Sequence, residues 1–169
     1  SLYLCKSAGI DAVALPTCNI FNSYALEQYS EFGFSSAFVS FELKADQINA
    51  MRGSMPRGIV SYGYLPLMLF SVCPVKNELT CADCKGESSL TDRTGASFRV
   101  LCSGNYSELL NSRPLWMADR LKELKNIDMQ LLYFTTETKY EANDIIHAYE
   151  NEESPRFEHT RGLYYRGVL

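Results

Sequence analysis

The stretch Gly58-Ile59-Val60-Ser61-Tyr62-Gly63-Tyr64 decides how this chain folds. It is short, apolar and rich in β-branched and aromatic residues, and the break Gly53-Ser54-Met55-Pro56 precedes it, so it predicts a buried strand. Working backwards, Ala45 to Met51 predicts a short helix and Ser36-Ala37-Phe38-Val39-Ser40 a strand. Before them, Ala25, Leu26, Tyr29 and Phe32 fall at helical spacing, and Gly33 stops that helix. Earlier still, Ala12-Val13-Ala14-Leu15 is apolar, closed by Pro16, and predicts the first strand. Strand, helix, strand, helix, strand at this spacing argues for βαβ units and a parallel sheet.

Working forwards, the alternation breaks. Ser89-Leu90-Thr91-Asp92 and Ser97-Phe98-Arg99-Val100-Leu101 flank the turn Arg93-Thr94-Gly95-Ala96 and predict a β-hairpin. It then resumes: a helix opened by Pro114 through Leu124, a strand over Asp128–Phe134, and a helix over Lys139–Glu150 with Ala142, Ile145, Ile146 and Tyr149 on one face. Residues 151–169 carry no assignment. The expected fold class is α/β, with parallel strands forming a partial, half TIM-type barrel and a Cys-rich β-hairpin inserted in it. The expected organisation is one domain of a larger barrel: βαβαβ over 1–70, the Cys-rich hairpin insertion over 71–113, αβα over 114–150 and a tail over 151–169. A half-barrel leaves two sheet edges open, so it is expected to pair with the remaining half or with a second copy as a dimer. The opening Ser1-Leu2-Tyr3-Leu4, without an initiator Met, reads as the start of a fragment.

The chain has 169 residues, 46% hydrophobic and 21% charged, which suits one globular domain. Its net charge of −4 makes the chain as a whole no magnet for nucleic acid or anionic membrane. The longest apolar run, Leu65 to Val75, is about half of what a bilayer needs and is interrupted by Pro66, Ser71 and Pro74. Without a signal peptide, a cytoplasmic setting with reduced cysteines is expected, and no membrane partner.

Four of the six cysteines, Cys73, Cys81, Cys84 and Cys102, cluster in sequence. Cys81-Ala-Asp-Cys84 is a CxxC pair, whose tight turn points both sulfurs the same way. With Cys73 and Cys102 it could complete a four-thiolate metal site, suited to zinc or to an iron–sulfur cluster. Ordinary buried or free cysteines, or two disulfides, are the alternatives.

In a barrel, catalytic side chains belong at the C-terminal ends of the strands. Glu42, directly after the second strand, is the candidate catalytic base; the alternative is a carboxylate in the first turn of the next helix, capped by Ser40. Asn19 and Asn22 follow the first strand as candidate substrate-binding residues or as turn formers. Arg161 and Arg166 could hold a carboxylate or phosphate. Arg93 is expected to form a turn salt bridge with Asp92. His147 and His159 lack HExxH spacing, and no GxSxG elbow occurs.

Several stretches, in order, resemble the peptidase U32 family. They are Pro16-Thr17-Cys18-Asn19-Ile20-Phe21-Asn22-Ser23, Val39-Ser40-Phe41-Glu42-Leu43, and Tyr62-Gly63-Tyr64-Leu65-Pro66-Leu67-Met68 followed by Cys73-Pro74. Asp92-Arg93-x-Gly95 with Phe98, Glu108-Leu109-Leu110-Asn111-Ser112, and Thr160-Arg161-Gly162-Leu163-Tyr164-Tyr165-Arg166-Gly167-Val168 complete the set. The resemblance covers essentially the whole chain and implies the C-terminal half of that family's barrel domain. It implies two activities: a collagenase-like peptidase (a hydrolase on peptide substrates), or oxygen-independent hydroxylation of RNA bases or ubiquinone precursors. Members of the second kind carry a four-cysteine iron–sulfur cluster (4Fe-4S). The chain departs from the ubiquinone-pathway members, with Phe70-Ser71-Val72-Cys73-Pro74 in place of their S-Y-S-G-x-C signature.

Overall fold

The computed structural model describes residues 2–78, 80–84, 86 and 88–166. The chain divides into two compact units, Ser1–Gly63 with Trp116–Leu169, and Tyr64–Leu115.

The first unit begins with α1 (Leu2–Ser7) and β1 (Val13–Ala14), then a 3-10 turn, Pro16–Cys18. The helix α2 (Ser23–Phe32) starts where Asn22 Oδ1 accepts from the Ala25 N–H at 2.9 Å. It ends at Gly33, whose φ of 92° is left-handed backbone that a Cβ disfavours. Next come β2 (Ser36–Phe38), α3 (Ala45–Ala50) and β3 (Arg57–Gly63). All seven residues of β3 are buried, as suits a central strand of a covered parallel sheet.

The second unit holds β4 (Pro66–Phe70), α4 (Cys81–Cys84), β5 (Ser88–Thr91), β6 (Ser97–Cys102) and β7 (Ser107–Leu110). The chain then returns to the first unit through β8 (Leu115–Trp116), a 3-10 stretch (Ala118–Glu123), β9 (Met129–Tyr133) and α5 (Lys139–Glu150).

The sheet of the first unit is parallel as expected. Val13 pairs with Ser36, Ala37 with Arg57, and Gly58 with Met129, so β1, β2, β3 and β9 lie side by side in chain order. β8 joins the same sheet beside β3. The architecture is mixed α/β, and the described residues close no barrel. The β3–β9 register slips between Val60 and Tyr62. There the hydroxyl of Tyr164 donates to the Val60 carbonyl (2.6 Å) and that of Tyr149 to the Ser61 carbonyl. Two buried phenols thus satisfy acceptors at the bulge. Burial raises the pKa of both tyrosines above the ordinary value. At Gly63, with φ 138°, an added Cβ would collide with the Tyr133 carbonyl, so only glycine lets β9 approach here.

Tyr62, Trp116, Ala118, Ile145 and Tyr149 form a buried cluster between β3 and α5. Trp116 packs edge-on to Tyr62 (5.9 Å between centroids) and Phe157 (5.2 Å). The helix α5 covers this cluster, and its N-terminus is a capping box in which Thr138 and Glu141 bond each other's backbone N–H groups. Arg57 is buried and ties two connections together, donating through Nε to the Asn126 carbonyl (3.0 Å) and through Nη2 to the Met51 carbonyl (2.9 Å).

Several sequence expectations change. The helix expected from Pro114 to Leu124 is a two-residue strand and a 3-10 stretch instead. Its backbone is used elsewhere: Trp116 N–H donates to the Thr160 carbonyl, Met117 N–H to the Tyr149 hydroxyl, and the Trp116 carbonyl accepts from Arg161. Leu115 to Ala118 are buried in succession, which a one-sided helix does not provide. The tail also has a structure: Tyr164 is 2% exposed and Ala45 N–H donates to its carbonyl.

In the second unit the expected hairpin forms, with Ser88 to Thr91 paired antiparallel to Val100 to Ser97. It belongs to a larger antiparallel sheet of order β4-β7-β6-β5. Thus β4, which the sequence reading placed with the parallel part, pairs with β7 through Met68 with Leu109 and Phe70 with Ser107. The turn has no Asp92–Arg93 salt bridge. Asp92 Oδ1 instead accepts from Thr94 N–H, Thr94 Oγ1 and Ala96 N–H, an Asx-type turn. No helix among the described residues is long and apolar enough to cross a membrane.

Candidate functional site

The C-terminal ends of β1 and β2 meet at Ser40. Its hydroxyl donates to Asn19 Oδ1 and accepts from the Glu42 N–H, both at 3.3 Å, while its own N–H donates to the Ile20 carbonyl. Asn19 is in left-handed backbone (φ 58°), which asparagine tolerates better than most residues. The structure therefore brings Asn19 and the Glu42 segment together, as their positions after consecutive parallel strands suggest. Glu42 lies in the turn ahead of α3, whose first-turn acid is Asp46. It is not the helix-dipole carboxylate of the alternative reading, and Ser40 does not cap α3. Glu42 is half-buried, and no hydrogen bond or ion pair engages its carboxylate among the described residues. Asn22 is separate from this group, because its side-chain oxygen caps α2.

After β9 stands a second strand-end carboxylate, Glu137. Glu137 Oε1 accepts from the Tyr62 hydroxyl (2.8 Å), and Oε2 accepts from the Thr135 N–H (2.7 Å) and the Thr136 N–H (3.0 Å). The signal that singled out Glu42, a carboxylate just after an apolar strand, applies equally to Glu137. The two differ in what they can do. Glu137 has most of its acceptor capacity engaged and holds Tyr62 and the β9–α5 connection, whereas no described group engages the Glu42 carboxylate. Beside Glu137, the buried hydroxyl of Thr135 has no hydrogen-bond partner.

Arg161 is committed to the protein. It grips Asp119 with two donors (2.5 and 2.8 Å) and the Trp116 carbonyl with one of the same groups (2.7 Å). This bidentate pair holds the Asp119 carboxyl below the ordinary aspartate pKa. Nearby, burial and then the Glu123 carboxylate push Tyr165 up to about 12. His147 stands beside Glu150 and His159 beside the Phe157 carbonyl. A pocket of about 440 Å³ lies between α2 and the loop leading into β3, lined by Glu27, Glu31, Arg52 and Met55 among others. Neither Asn19 nor Glu42 lines it.

In the antiparallel unit, Cys81 and Cys84 occupy the single turn of α4, exposed and half-buried respectively. Thr80 closes that turn, with its hydroxyl bonded to the Asp83 carboxylate and N–H. Cys73 is half-buried, and Cys102 is exposed at the end of β6 opposite Ser107. All six cysteines are free thiols. The donor chemistry fits a thiolate-bound metal: free sulfurs, two of them at i and i+3 on one helix face. The described residues nevertheless bring no three His, Cys, Asp or Glu side chains together. Cys81 and Cys84 share one helical turn, and neither Cys73 nor Cys102 joins them as a third ligand.

No protein-family model matches this chain, and no curated protein and no solved structure does either.

Proposed function

We propose that the chain is the C-terminal half of a U32-type, TIM-like barrel that serves oxygen-independent, hydroxylation-type modification of RNA or of an aromatic compound. The observation that carries this reading is the parallel pairing of β1 with β2, β2 with β3 and β3 with β9, with Asn19, Ser40 and a Glu42 unengaged among the described residues gathered at the strand ends. That is where a βα barrel places its chemistry. Glu42 acts as the base, and Asn19 orients a polar group of the substrate. Cys73, Cys81, Cys84 and Cys102 would hold a 4Fe-4S cluster only once Cys73 and Cys102 were drawn to the Cys81–Cys84 pair, and the cluster would supply electron transfer or an iron site for substrate. The open edge at β1 takes the remaining half of the barrel or a second copy. A collagenase-like peptidase finds less support, because each histidine is placed beside a glutamate or a carbonyl rather than beside a cysteine thiol.

A noncatalytic, zinc-stapled unit is the second reading, favoured by the thin apolar core of Tyr64–Leu115. Its buried apolar side chains among the described residues are Leu65, Val75, Val100, Leu109, Leu110 and Leu115. Units this small commonly need a metal or disulfides to hold a fold. Iron, sulfide and zinc analysis with an absorption spectrum, on anaerobically prepared protein, tests both readings. Iron and sulfide near four per chain, with a broad band near ~400 nm, is expected for the cluster. Zinc near one per chain with no colour makes the site structural, and neither metal overturns both.

A further inference from the structure

The CxxC pair supports an inference that does not depend on four ligands converging. Cys81 and Cys84 are free, sit three residues apart in one helical turn, and differ in exposure. Helical geometry puts such Cα atoms about 5 Å apart, inside the range a disulfide spans without moving the backbone. We propose that Cys81 and Cys84 are a reversible oxidation site, converted to an intrahelical disulfide by a low-molecular-weight disulfide such as oxidised glutathione.

The steps balance. The Cys81 thiolate, the more exposed of the two, attacks one sulfur of oxidised glutathione, forming a mixed disulfide and releasing one glutathione thiolate. The Cys84 thiolate then attacks the Cys81 sulfur, closing the protein disulfide and releasing the second glutathione. Two protein thiols lose two electrons and two protons, and one small disulfide becomes two thiols. Exposure orders the steps: the attacking thiol must meet a bulky partner, whereas the resolving thiol needs only its neighbour. A consequence that rests on the four-cysteine reading follows. Oxidation removes two of the four thiolates, so a centre built on them releases its ion when the pair closes.

The test uses the whole chain, reduced and metal-free, exposed to oxidised glutathione, with each cysteine followed by peptide mass. Trypsin isolates residues 77–85, which contain these two cysteines and no others. That peptide is expected two hydrogens lighter after oxidation and restored by dithiothreitol. Cys84→Ser is expected to accumulate one glutathione on Cys81, and Cys81→Ser to react several-fold more slowly. A Cys73→Ser/Cys102→Ser variant should oxidise at the parent rate. Linkage of Cys81 or Cys84 to Cys73 or Cys102, or an unoxidised 77–85 peptide while other thiols react, overturns the proposal. A parallel sample loaded with zinc alone and read with a chromophoric chelator separates the two ideas. Zinc bound and then released on oxidation supports both. A protein that binds neither zinc nor iron yet closes the 77–85 disulfide loses the metal reading and keeps the oxidation site.

Discussion

Two sheets in one chain are held by different means. The parallel sheet buries large side chains: Trp116, Tyr149, Tyr164, Ile59 and Met117 are all at most 9% exposed. Its polar atoms are matched in detail, with Tyr149 and Tyr164 on the β3 bulge and Arg161 on Asp119. The antiparallel sheet buries no aromatic side chain among its described residues, only aliphatic ones and Ser107, and its edge strand β4 leaves Leu67, Met68 and Leu69 at 51, 55 and 69% exposed. It carries the four clustered cysteines instead. Burial of aromatic area stabilises the first sheet, and the second has less buried apolar area to draw on. The difference teaches that one sheet is fixed by buried aromatic packing and matched polar atoms, while the other has little buried area to fix it.

The largest effect that could break this comparison comes from Trp116→Ala. It should cost about 3–5 kcal/mol in urea unfolding, the usual range for a buried tryptophan. Amide exchange should accelerate in β3, β9 and α5, while β5 to β7 keep their protection. Equal losses in both sheets would show that the two units fold as one. Tyr149→Phe removes one hydroxyl and leaves the Met117 N–H and the Ser61 carbonyl short of a partner. A loss of about 1–3 kcal/mol is expected by the same measurement.

Asp119→Asn should cost about 2 kcal/mol through the loss of a charge-assisted, partly buried pair. It also carries a pH signature. The Asp119 pKa is lowered by Arg161, so the folded state binds this proton less tightly than the unfolded state. The stabilisation is complete above the ordinary aspartate value of ~3.9 and disappears as pH falls through the depressed value. Thermal unfolding as a function of pH should therefore fall less steeply on acidification in the Asn variant than in the parent. The smallest effect is expected from Asp92→Ala, on an exposed turn. Faster exchange of the Thr94 and Ala96 amides, with no change in β3 or β9, would sharpen the contrast between the sheets.

Local chemistry made much of the fold legible. Gly33 ends α2 where expected, the helix expected over Lys139–Glu150 is α5, and the strand at Gly58–Tyr64 is displaced by one residue from β3. At the site, Asn19 and Glu42 were legible as strand-end residues. Glu137 was legible by the same rule but went unread. Arg161 looked like an anion ligand because a sequence does not display Asp119, forty-two positions away, in its grip. The Pro114–Leu124 segment has a helical apolar pattern and a proline at its start, yet Thr160, Tyr149 and Arg161 claim its backbone. Long-range partners overrode local propensity there.

The sequence by itself determined the alternation of strands and helices up to β3, the helices α2 and α5 and the hairpin, because these depend on residues within a turn or two of one another. Only the tertiary structure decided that Pro66–Phe70 leaves the parallel sheet for β7 and that Tyr164 fastens the tail to β3. It alone decided that Glu42 stands unengaged while Glu137 is bound. Each of these depends on which distant group supplies a hydrogen bond or a buried surface, and that choice is made by the packed chain as a whole.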